Sequence, residues 1–251
     1  MTACFQAFYF MVSLAAEPIT HIGSLPITNS LIDTLLVDAI LIAVALYINK
    51  KASVIPTFFQ GMIEMLMQEF YNLTTTVAGK QTMRIFPFVM TFFLFILISN
   101  WSELIPVITS LGFFHGKEFT PLFRSASTDL NTTLALALVS LVATHSMSIY
   151  TLGLKQYIGR FVSLNPLALY TGILEAVSEL TKIISFSFRL FGNIFVGGVI
   201  LSILSTVFAF LLPIPVIFYE LFVGAVQAVI FALLTMAFMA IFTTPHNIEG
   251  H

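Results

Sequence analysis

Glu175 to Asn193 reads EAVSELTKIISFSFRLFGN, and the spacing of its polar residues decides the fold. Glu175, Ser178, Lys182, Ser185, Arg189 and Asn193 recur three or four residues apart in one of the most apolar regions of the chain. On a helix that turns about 100° per residue, these six side chains fall within an arc of roughly 80°. Ile183, Ile184, Phe186, Phe188, Leu190 and Phe191 fill the rest of the circumference. At about 1.5 Å per residue the polar line is roughly 27 Å long, close to the thickness of a bilayer core. A continuous polar line through an oily helix predicts a path for charge, with Arg189 as its most informative residue.

The composition around this stretch agrees with a membrane setting. Of 251 residues, 58% are hydrophobic and only 9% charged, and the mean hydropathy is +1.00. Soluble domains carry about a quarter charged residues, so the chain is predicted to be an all-α integral membrane protein. A net charge of −2 gives no reason to expect nucleic acid as a partner. The single cysteine, Cys4, excludes an intramolecular disulfide and a multi-cysteine metal site. No phosphate-binding Gly-Lys-Ser/Thr loop, His-Glu-x-x-His or Gly-x-Ser-x-Gly is present. The expectation is therefore no catalytic residue, no cofactor and no metal of its own.

Working outward, Pro166 to Leu212 is almost unbroken helix-former. Standing upright, such a helix would extend roughly 70 Å, more than twice the hydrocarbon thickness, so it is expected to run steeply inclined. Pro213-Ile214-Pro215 breaks it, and a second long apolar helix over 214–243 completes an inclined hairpin. Upstream, spans are predicted over 31–49, 85–103 and 129–153, which makes about five membrane-embedded helices in a single membrane domain, 1–251. Gln60, Glu64, Gln68 and Asn72 recur every four residues within 56–78, which reads as an amphipathic helix for the membrane surface or a partner. Residues 107–127 read as a loop. Residues 1–30 form an N-terminal segment on the outer side. Its first 16 residues resemble a signal peptide without a basic n-region, or equally a short membrane-edge helix that stays attached. Within the first span, Asp33 is expected near an interface and Asp38 as a structural partner of other helices. Lys50, Lys51, Lys80, Arg84, Lys155 and Arg160 set against Lys117 and Arg124 predict an outside N-terminus and a cytoplasmic C-terminus.

Charge inside a membrane is costly, so Arg189, Lys182, Glu175, Glu179 and Glu220 are candidates for function. A guanidinium stays protonated in essentially any protein environment, so Arg189 attracts a carboxylate but relays no proton. Its own-helix acids lie several turns away, which points to a partner elsewhere. Lys182 reads more readily as half of an ion pair with Glu175 or Glu179, and Glu175 as either a lining carboxylate or half of a pair. Glu220 and Gln227 lie seven residues apart on nearly one helix face, with Gly224 between them. A carboxyl group in apolar surroundings can exchange protons near neutral pH, whereas Gln227 only hydrogen-bonds.

Arg189-Leu190-Phe191-Gly192-Asn193, followed by Phe222-Val223-Gly224-Ala225-Val226-Gln227-Ala228 and Phe231 to Thr235, resembles the a subunits of rotary F-type ATP synthases. Asn100 to Pro106, Ser127 to Asn131 and Asn165 to Arg189 support the resemblance, which spans roughly residues 30–245. It implies a stator subunit of the F0 sector, with two offset half-channels that carry protons to and from a ring of c subunits. By resemblance Arg189 faces the ring carboxylate and prevents a short circuit, and Asn193 lines the path one turn away. Glu220 and Gln227 would belong to the outer half-channel, with Glu103 and Asp129 near its vestibule. Glu175, Ser178 and Ser185 would line the inner side, with Lys182 near it. The implied partners are the c-ring, b-type peripheral stalk subunits, the rest of F1F0 and the lipid bilayer, in a bacterial plasma membrane rather than a mitochondrial one. H⁺ is favoured over Na⁺ as the coupling ion.

The sequence departs from the family at two positions. Many bacterial members carry glutamate nine residues after the arginine and histidine seven before the glutamine; here Gly198 and Glu220 stand there. The expectation is that the carboxylate has moved across the helix pair. A rival reading, a proton-coupled secondary transporter with a midplane Arg189–Glu220 site, predicts inverted repeats and interrupted helices, and the sequence has neither. A purely structural membrane anchor would leave the polar line unexplained.

Overall fold

A computed structural model of the chain describes residues 18–22, 25–105, 112–115, 118–121, 124–161, 166–207 and 213–244. The N-terminal stretch 1–16, expected as a leader or a membrane-edge helix, lies outside the described residues, as do parts of the expected loop 107–127 and residues 208–212. Seven α-helices are described: α1 Asn29–Lys51, α2 Phe58–Ala78, α3 Thr82–Ser102, α4 Leu130–Leu152, α5 Leu154–Phe161, α6 Pro166–Val207 and α7 Pro213–Thr243. Five helical stretches are long and apolar enough to cross a membrane: Asn29–Lys51, Phe58–Ser102, Leu130–Leu152, Leu169–Leu201 and Pro213–Thr243.

The chain is not purely helical between these elements. β1 Pro18–Ile22 pairs antiparallel with β2 Leu25–Thr28, and β3 Gly112–His115 with β4 Glu118–Pro121, where the sequence reading had only an outer segment and a loop.

Local chemistry accounts for the helix ends. Thr28 and Thr57 cap α1 and α2, accepting from Leu31 N at 3.3 Å and Gln60 N at 3.5 Å. Lys50 and Lys51 close α1, where a positive charge meets the negative end of the helix dipole. Gly153 ends α4 with φ +82°, a left-handed conformation natural to glycine, and its N–H returns to Ile149 O at 2.9 Å. The amphipathic α5, which the sequence reading passed over, starts directly after it.

The contacts divide the chain into two compact units. The first comprises Met1–Ala52, Phe93–Thr133 and Ser187–Val229; within it Val37, Ile96, Leu190 and Ala228 are fully buried. The second comprises Ser53–Phe92, Leu134–Phe186 and Ile230–His251. Its interior packs phenylalanines with tilted rings: Phe231 lies 5.5 Å from Phe92 and 5.1 Å from Phe186, centroid to centroid. Ser140 and Thr235 hydroxyls bond at 3.0 Å, and Ser148 donates to Phe242 O at 2.7 Å. Small hydroxyl residues let helices approach closely and exchange hydrogen bonds where water is absent.

Candidate functional site

In the first unit, the second half of α6 and the first half of α7 carry the Arg-Leu-Phe-Gly-Asn stretch and the Glu220–Gln227 pair. Asn193 Nδ2 donates to Gln227 Oε1 at 2.9 Å. Gln227 is buried, while Asn193 and Arg189, one turn before it, are exposed. Glu220 packs against Gly197 of α6, where a Cβ would collide with Glu220 Oε1, whereas one at Gly198 would touch Glu103 Oε1 at 3.5 Å. The absence of a side chain at Gly197 is thus what makes room for the carboxyl group of Glu220. Asn100, Glu103, Gly192, Asn193, Gly197 and Glu220 help line a cavity of about 200 Å³. Glu103 Oε2 and Glu220 Oε1 are both buried and have no hydrogen-bond partner among the described residues. Buried polar atoms rarely lack partners, so this cavity is suited to water or an exchangeable proton.

A rigid polar frame holds these groups. Asn100 donates to Gly224 O at 3.1 Å and accepts from Ser127 Oγ at 2.6 Å, and Trp101 Nε1 reaches Leu221 O at 3.2 Å. Gly224 belongs to this lock, because a Cβ there would lie 3.1 Å from Asn100 Cβ. Asp129 accepts from Asn131 N at 3.1 Å at the start of α4 and from Ser30 Oγ at 3.3 Å. Asp33, not Asp38, is the structural partner. It is buried and accepts from Ser102 Oγ at 3.2 Å and Ala126 N at 3.3 Å, whereas Asp38 lies exposed. Asp38 was the costlier position by hydropathy alone, but exposure toward lipid or a partner depends on which way α1 is turned.

The second unit gathers a different cluster. Arg160 Nε on α5 donates to Glu175 Oε1 at 2.7 Å, and its Nη1 to Ile241 O at 3.3 Å. Lys182 bonds Glu179 one turn away on α6 and sits 3.8 Å from the centre of the Phe238 ring. His145 of α4 lies between two partners: Tyr157 Oη at 3.1 Å from Nδ1 and Glu179 Oε2 at 3.7 Å from Nε2. Phe242 is the apolar hub, with the His145 ring edge-on at 5.4 Å and the Arg160 guanidinium 4.2 Å from its centre. Burial, and then the Glu179 and Glu175 carboxylates, push the Tyr157 phenol above its ordinary range, so it keeps its proton through neutral pH. Ser178 is exposed and Ser185 half-buried.

Of the residues singled out from sequence, Arg189, Asn193, Glu220, Gln227, Glu103 and Asp129 lie in the first unit. Glu175, Ser178, Lys182 and Ser185 lie in the second. Both readings of Glu175 and Lys182 as ion-pair members describe what is observed. Asp33, His145, Tyr157 and Arg160 were not singled out as site residues. Asp33 and His145 carried a usable signal, as titratable side chains inside predicted spans.

The family model described as ATP synthase A chain matches residues 31–240. Over 236 residues, 94% of this chain and 100% of the relative, the sequence is 33% identical to ATP synthase subunit a of Moorella thermoacetica (strain ATCC 39073 / JCM 9320). With five helical stretches able to span a bilayer and a match over most of its length, this multi-pass, all-α membrane chain belongs to the ATP synthase A chain family.

Proposed function

We propose that this chain is the stator half of the proton path in the membrane sector of an ATP synthase, set against a ring of c subunits and held by b-type stalk subunits. The observation that carries the reading is the partition of the polar residues. Glu220, Gln227, Asn193, Glu103 and Asp129 share one compact unit, whereas Glu175, Ser178, Lys182 and Ser185 share the other. Two separate sets are what two offset half-channels require. The family match leaves the self-contained transporter reading without support.

Protons reach Glu220 through the cavity beside Glu103 and Asn100, and neutralise a ring carboxylate near Asn193. The neutral carboxyl group rotates into lipid, where a charged one is excluded by its solvation cost. After nearly a full turn it loses its proton to the inner path. Arg189, on the exposed face of α6 beside exposed Phe188 and Val196, stabilises the ionised carboxylate between the two paths. Because it never deprotonates, it blocks a direct leak. The membrane potential supplies roughly 2.3 kcal/mol per charge per 100 mV. The long α6 and α7 run inclined across the ring surface in a bacterial plasma membrane, with the N-terminus outside.

The test is passive proton permeability of membrane vesicles stripped of the catalytic head. Glu220→Gln is expected to reduce permeability by about tenfold or more, since an amide carries no proton. Arg189→Ala is expected to abolish coupled synthesis while the vesicles still leak protons. Unchanged permeability in Glu220→Gln would sink the proposal.

A further inference from the structure

His145 is the titratable side chain that the reading above leaves unused, and its surroundings are unusual for a packing residue. Its side chain is 20% exposed. Tyr157 and Arg160 face it from α5, and Glu175, Glu179 and Lys182 from α6; the α7 residue against it is Phe242, which does not titrate. Two carboxylates and two cations already pair among themselves, as Arg160–Glu175 and Lys182–Glu179. The four charges beside it already balance, so a proton on the ring adds one net positive charge to the cluster.

We propose that His145, held between Tyr157 and Glu179, is a proton-exchanging residue of the path on the Glu175–Lys182 side, an inference that rests on the two-path reading. The Tyr157 hydrogen bond and the nearby Glu179 carboxylate serve both protonation states. In the neutral ring, the Tyr157 hydroxyl donates to Nδ1 while Nε2–H points to Glu179. When a proton from hydronium arrives on Nδ1, the hydroxyl turns and accepts, and Nε2–H still faces the carboxylate. Releasing that proton to water restores the first state, so one proton enters and one leaves. A cavity of about 20 Å³ beside Glu179 and Lys182, lined also by Ser140 and Thr144, matches the roughly 10–15 Å³ that one water needs. A hydrated proton therefore has room beside Glu179 and Lys182. His145 acts by holding and passing a proton, and Tyr157 positions its ring.

The experiment uses the whole complex in membrane vesicles with the catalytic head removed. Potential-driven proton uptake is measured at equal pH on both sides, from about pH 5.5 to about pH 8.5, across the range where histidine changes charge. The wild type is expected to show a pH-dependent component whose midpoint lies within this range. In His145→Gln that component disappears, changing the ratio of conduction at the two ends of the range by roughly threefold or more. Tyr157→Phe keeps the ring and removes the hydroxyl, and is expected to move the midpoint by at least about half a pH unit. It also decides the matter if His145→Gln does not assemble. A His145→Gln profile that superimposes on the wild type, or an unmoved midpoint in Tyr157→Phe, overturns the proposal. Glu220→Gln in the same assay separates the two ideas. If it conducts like the wild type, the proton-path reading itself falls; if it blocks conduction while the His145→Gln profile is unchanged, only the role of His145 falls.

Discussion

Glu220 occupies space that Gly197 leaves open, and the fit between these two residues is specific enough to test. A methyl group at Gly197 meets the tip of the Glu220 side chain, which can swing aside, so folding should survive. What should change is where the carboxyl group sits. Gly197→Ala is expected to lower proton conduction by roughly tenfold, the scale of a misplaced reacting group, while the complex still assembles. Gly198→Ala, whose methyl would make ordinary contact with Glu103 at 3.5 Å, should have the smaller effect. Comparing conduction in the two variants at equal complex content checks this; equal losses would mean that the carboxyl position is not what Gly197 protects.

At the scale of elements, α5 and α6 meet through a glycine. A Cβ at Gly172 would press into the Phe161 backbone carbonyl, which cannot rotate away as a side chain can. Gly172→Ala is therefore expected to destabilise the second unit by about 1–3 kcal/mol, the usual cost of overpacking. Thermal unfolding of the solubilised complex reads the effect, and a midpoint equal to that of the wild type would count against the close packing. The same contact places Arg160 within reach of Glu175, and Tyr157 within reach of His145. A short amphipathic helix with only eight residues cannot hold itself in place by its own hydrogen bonds. Its polar contacts to His145, Glu175 and Ile241 O do that.

At the scale of the whole molecule, the outer surface is apolar. Phe222 is 69% exposed, Phe218 67% and Leu180 65%, values that suit a lipid or protein-covered surface rather than water. The basic residues then decide orientation. In a Cys4→Ser background, Lys80→Cys and Lys155→Cys are expected to react with an impermeant thiol reagent only from the cytoplasmic side, and Lys117→Cys only from the other. The reverse pattern would invert the assignment of outer and inner paths while leaving their chemistry in place.

The sequence by itself determined the class of the molecule. Apolar runs long enough to cross a bilayer have few alternatives to helix there, because backbone groups in lipid must satisfy one another locally. Polar spacing on one helix was legible for the same reason, so the Glu175–Asn193 line and the Lys182–Glu179 pair could be read from positions a few residues apart. The Arg-Leu-Phe-Gly-Asn stretch added the family. Tertiary structure alone decided which polar groups meet across helices. Asn193 and Gln227 are 34 positions apart in the chain, and Asn100 and Gly224 are 124 apart. It also decided that Asp33 rather than Asp38 is buried, and that His145 stands between Tyr157 and Glu179. Helical periodicity says which residues share a face; the rotation of that face toward a neighbour is set by packing between segments distant in sequence.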